Sequence, residues 1–151
     1  MNPSTASLQE TLTTVLETLP LVWDRIRSNL RTAATAKFGI TLEQFHILRH
    51  IRRGCRSVGA LAEKKQISNS AVSQAIEALV EKGLVTRRQE IDDRRCVLLE
   101  LTNHANEVLD ANYEENRSWM ELKMASLTGE ELNSIQRAME ILKETFTPGE
   151  A

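Results

Sequence analysis

Apolar positions recur along this chain at two periods, and the change of period separates helical arms from a compact middle with a short hairpin. Leu8, Leu12, Val15, Leu16 and Leu19 follow spacings of four, three, one and three, the stripe of an amphipathic helix. Pro20 has no N–H and its ring crowds the preceding turn, so it is expected to kink or interrupt that helix. A second helical pattern follows through Leu21, Val22, Trp23, Ile26, Leu30 and Ala33 or Ala34, until Gly39 ends it.

The next helix announces its start. Thr41 is a cap, Gln44 completes a capping box, and Ile40 and Phe45 hold the hydrophobic-staple positions. Leu42, Phe45, Leu48 and Ile51 face a core, and Gly54 stops the helix. Ser57 caps a short helix, Val58 to about Lys64, with Leu61 and Ala62 inward. Ser68 then caps a helix from Asn69 to Lys82 that buries Val72, Ala75, Ile76, Leu79 and Val80, with Gly83 as its C-cap. Two short helices across so tight a turn form a helix-turn-helix.

The period then falls to that of strands. Residues 84–88 and 96–101 are β-prone runs on either side of the polar tip 89–95, a hairpin in the position of a wing. Thr102 starts a long helix to about Ser126, carrying Val108, Leu109, Ala111, Trp119, Leu122 and Met124. Thr128 and Glu131 form another capping box, with Leu127 and Leu132 as its staple. The last helix carries Leu132, Ile135, Met139, Leu142 and Phe146 before Pro148 and Gly149. Such arms cannot bury their stripes on a lobe of about 60 residues, so a second copy of the chain is the expected cover.

Charge sharpens the picture. The whole chain is at −2, but residues 49–95 hold eleven Lys/Arg against six Asp/Glu, leaving +5 there and −7 on the flanks. A basic centre between acidic arms suits phosphates. No stretch approaches the roughly 20 apolar residues of a membrane span, and no secretory signal is read at the N-terminus. Cys55 and Cys96 suit a reducing compartment, so a cytoplasmic protein is expected. A phosphate loop, nucleophile elbow and Cys-x-x-Cys pair are all lacking, so no enzyme and no cofactor are expected. His46 and His50, at i and i+4, lack the supporting ligands of a metal site.

With residues 40–45 opening the lobe, Ile67-Ser68 entering the second helix and residues 79–85 leaving it, the chain resembles the MarR family. The most specific element is Asp92-Asp93-Arg94-Arg95 followed by 96–102, which is similar to that family's wing signature. The resemblance implies a mainly α fold with a small β-hairpin wing. In that winged helix-turn-helix, residues 1–151 form a single domain with the lobe at 41–101 and helical dimerisation regions at 1–40 and 102–151.

The resemblance also implies a regulator of transcription, such as a repressor released by a small effector. A homodimer would read a pseudo-palindrome in double-stranded DNA. Ser68, Asn69, Ser70, Ser73, Gln74 and Glu77 are then the candidates for the major groove, where Asn or Gln suits adenine and Glu the cytosine amino group. Arg87 and Arg88 would reach the backbone, and Arg94 and Arg95 the minor groove or phosphates. The family pattern favours Arg95 for the groove, with Asp93 bracing the tip. A phenolic or other aromatic effector would lie between dimer helices and lobe, with Trp23, Arg27, Phe45, His46 and Trp119 as candidate lining residues. Two alternatives accompany this assignment: a redox-responsive regulator using Cys55 or Cys96, and a winged helix that binds only protein.

Overall fold

The computed structural model describes residues 7–89 and 97–147. Its elements are α1 (Leu8–Phe38), α2 (Leu42–Arg52), α3 (Val58–Lys65), α4 (Asn69–Glu81), β1 (Val85–Gln89), β2 (Val97–Leu101), α5 (Asn103–Met124) and α6 (Gly129–Phe146). The expected mainly helical fold with one antiparallel hairpin is what forms, with Val85 opposite Leu101 and Gln89 opposite Val97.

Pro20 does not break the first helix: α1 runs without interruption from Leu8 to Phe38. The proline deprives the Leu16 carbonyl of its usual donor, but Leu16 and Pro20 both lie in an exposed stretch where water can serve that oxygen. Both ends are well closed. Ser7 and Glu10 exchange a capping box, at 3.2 Å to the Ser7 hydroxyl and 2.9 Å to the Glu10 carboxylate. Those bonds hold the Glu10 carboxyl below its ordinary range. At the other end Gly39, at φ 61°, turns the chain out through the left-handed region.

The chain divides into two compact units, one up to Asn116 and one from Arg117. In the first, the core draws on α2, α3, α4 and the hairpin through Phe45, Leu48, Ile51, Leu61, Val72, Ile76, Leu79, Val85 and Leu99. It also takes in Leu30 and Ala34 of α1 and Ala105, Val108 and Leu109 of α5. The lobe's core therefore extends past residues 41 and 101 into both flanking helices. Leu84, expected in the strand, is a buried residue just ahead of it. Two other expectations change: Val80 is 38% exposed, whereas Ile47, off the anticipated stripe, is fully buried. Asn112 of α5 is buried too, its amide donating to the Leu30 carbonyl at 3.5 Å while its own oxygen has no partner.

In the second unit, Thr128 and Glu131 cap α6 reciprocally, with the Glu131 carboxylate 2.8 Å from the Thr128 N–H. No residue of α6 is buried; Leu132, Ile135, Met139, Ile141 and Phe146 are exposed along it. Among the described residues no helix is long and apolar enough to cross a membrane.

Candidate nucleic-acid interface

The helix-turn-helix is built by local bonds. The Ser57 hydroxyl accepts from the Ala60 N–H at 3.2 Å to start α3, and Gln66 ends it in the left-handed conformation at φ 54°. The Ile67 N–H returns to the Ala62 carbonyl at 3.1 Å, which keeps the turn tight. Ser68 then caps α4, its hydroxyl accepting from Ala71 at 3.1 Å. Its hydroxyl is committed as an acceptor to the cap, and its O–H is left as a donor.

α4 has two faces. Val72, Ile76 and Leu79 are sealed into the core, whereas Asn69, Ser70, Gln74 and Glu77 are exposed and Ser73 is half-buried between them. The first-turn N–H groups point out of the same end, where a helix favours anionic oxygens. Glu77 has a neighbour that the sequence did not suggest: the Arg87 guanidinium of β1, 3.9 Å away. The pair is exposed and at long range, so it holds little energy and can be exchanged for a base or a phosphate. Arg88 faces Glu100 across the hairpin at 3.7 Å. Asp93, Arg94, Arg95 and Cys96 lie outside the described residues.

The other end of α4 is fastened. The Lys82 ammonium donates to the Gly39 carbonyl at the end of α1. Thr102, ahead of α5, donates its hydroxyl to the Gly83 carbonyl at 2.8 Å and its N–H to the Leu84 carbonyl at 3.1 Å. The Thr102 hydroxyl also accepts from Ala105 at 3.1 Å, so one side chain caps α5 and clasps the exit of α4.

A second basic surface was missed by the sequence reading. His46, Arg49, His50 and Arg53 follow i, i+3, i+4, i+7 along the side of α2 away from Phe45, Leu48 and Ile51, and that spacing was its signal. Lys65 of α3 is brought against α2 by Glu43, 2.7 Å away. Burial lowers the pKa of both histidines. For His46, Lys65, Arg49 and His50 add to the effect and Glu43 opposes it; for His50, Lys64, Lys65, Arg53 and Arg49 add to it. Arg49 is itself pushed below its ordinary value by burial, then by Arg53 and Arg52. The His50 Nδ1 is shut away without a hydrogen-bond partner, which further disfavours the doubly protonated ring.

The five effector candidates are placed apart in character. Trp23 and Arg27 are exposed on α1, His46 is half-buried on α2, and Phe45, 3% exposed, is a core residue rather than a surface one. Trp119 is half-buried in the second unit. Two open clefts of the first unit, of about 330 and 300 Å³, are lined by other residues. Cys55 is half-buried and its thiol is free. Among the described residues no group of three His, Cys, Asp or Glu is placed to hold a metal ion.

Known proteins share this fold. A model of the MarR family matches residues 40–97. The HTH-type transcriptional regulator YdgG of Bacillus subtilis is 30% identical over 115 residues, which cover 74% of this chain and 76% of that one. YdgJ of the same organism, also an HTH-type transcriptional regulator, is 31% identical over 71 residues, and there the match spans 43% of the relative's length. In structure, a MarR family protein from Bacillus stearothermophilus superposes with a TM-score of 0.80 at 20% identity, over 95% of this chain and all of that one. The chain belongs to the MarR family of winged-helix transcription regulators, which are not enzymes.

Proposed function

We propose that this regulator binds a specific pseudo-palindrome in double-stranded DNA as a cytoplasmic homodimer and represses transcription until a small aromatic effector releases it. The observation that carries this is the exposed polar stripe at the leading end of α4, opposite a face locked into the core. Asn69 or Gln74 would pair with adenine, Ser70 and Ser73 with several base edges, and Glu77 with cytosine once Arg87 turns to a phosphate. Ser68 would donate to the backbone. Arg88 on the hairpin stem would reach it as well, with Arg94 and Arg95 in the minor groove and Asp93 bracing them.

Dimerisation is supported by the apolar residues left exposed on the first half of α1 and along α6, which the chain's own fold does not cover. These helices, residues 1–40 and 102–151, are the proposed dimerisation regions around a reading lobe at 41–101. The effector rests on family likeness, with Trp23, Arg27, His46 and Trp119 as its surface candidates. Two reading helices related by a dyad call for half-sites about 10–10.5 bp apart, or a multiple of that.

The test is selection from a random duplex pool with the purified chain, followed by Arg95→Ala. The selected pool should converge on a pseudo-palindrome, and the variant should lose about tenfold in affinity or more while sedimenting as the wild type does. Unchanged affinity at matched salt removes the wing from the interface. A pool without enrichment even at low salt, where phosphate contacts are strongest, overturns DNA binding altogether.

A further inference from the structure

We propose that the outer face of α2, together with the end of α3, is a second phosphate-binding surface that holds the duplex flanking each half-site. This extends the DNA-binding function above and rests on it.

The first ground is uncompensated charge. Arg49 and Arg53 share the outer stripe of α2 with two histidines, and the Lys65–Glu43 ion pair brings the end of α3 against the same helix. Of the acids nearby, Glu43 is engaged by Lys65, Asp110 answers Arg52 at 2.5 Å, and Glu63, beside Lys64 in α3, is exposed, which leaves the cations in excess. Among the described residues no side-chain hydrogen bond or ion pair engages Arg49, Arg53 or Lys64. Like charges crowded on a partly covered face repel one another, and a polyanion relieves that repulsion.

The second ground is continuity with the reading helix. Lys64 and Lys65 close α3, and only Gln66 and Ile67 separate them from the Ser68 cap of α4. The patch therefore adjoins the end of α4 that would enter the groove, and leads away from it along α2. A rod of evenly spaced phosphates suits such a track better than a compact anion does.

The third ground is the state of the imidazoles. Burial first, then the cations among Lys64, Lys65, Arg49 and Arg53, disfavours the protonated forms of His46 and His50, with Glu43 the one opposing group at His46. An arriving phosphate opposes the repulsion from those cations, though not the burial, so occupancy of this surface favours proton uptake.

The experiment uses the full chain and a selected operator in two lengths, the core alone and the core with one added helical turn of about 10 bp on each side. Wild type should bind the longer duplex about tenfold more tightly. Arg49→Gln/Arg53→Gln/Lys64→Gln should bind both lengths alike and keep the wild-type affinity for the core. Its salt dependence on the long duplex should fall by about one per cation lost from each bound protomer. Should the triple variant melt early, Arg53→Gln/Lys64→Gln, both exposed, carries the same comparison. Proton uptake, read by calorimetry in buffers of different ionisation enthalpy, should be larger for the long duplex.

No gain from added flanks in the wild type overturns the proposal, as does an equal loss on both lengths. If the variant keeps the flank gain but loses affinity for polyglutamate, the surface belongs to an acidic protein and the DNA assignment falls. Core binding that survives either result leaves the primary function standing; failure to select any core removes both.

Discussion

At the scale of single residues, the caps were the most legible feature. Thr41 with Gln44, and Thr128 with Glu131, were assigned from residue type and spacing, and both boxes close at hydrogen-bond distance. Val80, expected in the core, is exposed, and Ile47, which the stripe leaves out, is buried. A helical stripe gives the centre of the buried face but not its width. α2 packs on α1, α4 and β2, so Ile47 is enclosed from the side, whereas Val80 lies beyond the edge of its own contact. The sequence marks His46 as an effector candidate and pairs it with His50 only as an incomplete metal site; it does not show their shifted titration, because desolvation and the approach of Lys64 and Lys65 come from another helix. Their lowered pKa values have a signed consequence. Well above 6.5, the ordinary histidine value, folded and unfolded chains both hold neutral rings and no stability difference arises. As the pH falls through 6.5 the unfolded chain takes protons first, so stability declines until the folded rings also titrate. Thermal midpoints measured between about pH 7.5 and 5.5 should fall less for His46→Gln/His50→Gln than for wild type. Parallel profiles would mean that neither ring is perturbed.

At the scale of elements, the order of helices and hairpin followed from the switch between periods 3.6 and 2, and the boundaries moved by a residue or two. Pro20 is expected to kink or interrupt its helix, and α1 is not interrupted there. A proline costs a helix interior about 3 kcal/mol in general, but in α1 the lost bond lies on a water-accessible turn and both helix ends are capped. Local sequence shows the missing donor; it does not show what surrounds the abandoned carbonyl. Pro20→Ala should therefore raise stability, by up to about 3 kcal/mol in urea denaturation, and leave DNA affinity unchanged. A destabilised variant would show that the helix needs the local bend a proline imposes.

At the scale of the molecule, the charge split was visible in sequence, but not that the basic centre has two faces, α4 with the hairpin and α2 with α3. The exposed apolar residues of α1 and of α6 belong to this scale too. Ile135→Glu/Met139→Glu places two carboxylates in the α6 row, at the cost of burying charge in any interface formed there. Sedimentation at micromolar concentration should shift from dimer to monomer, with operator affinity lost alongside; a variant still dimeric would assign the contact elsewhere. One last consequence belongs to the clasp of Thr102 and Lys82 on the exit of α4. A helix of 13 residues is about 20 Å long, so a tilt of about 5° at the clasped end displaces the far tip by about 1.7 Å. On the proposed mode of binding, that travel would be enough to disengage an α4 side chain from its base, so a slight swivel of α5 would separate gripping an operator from letting it go.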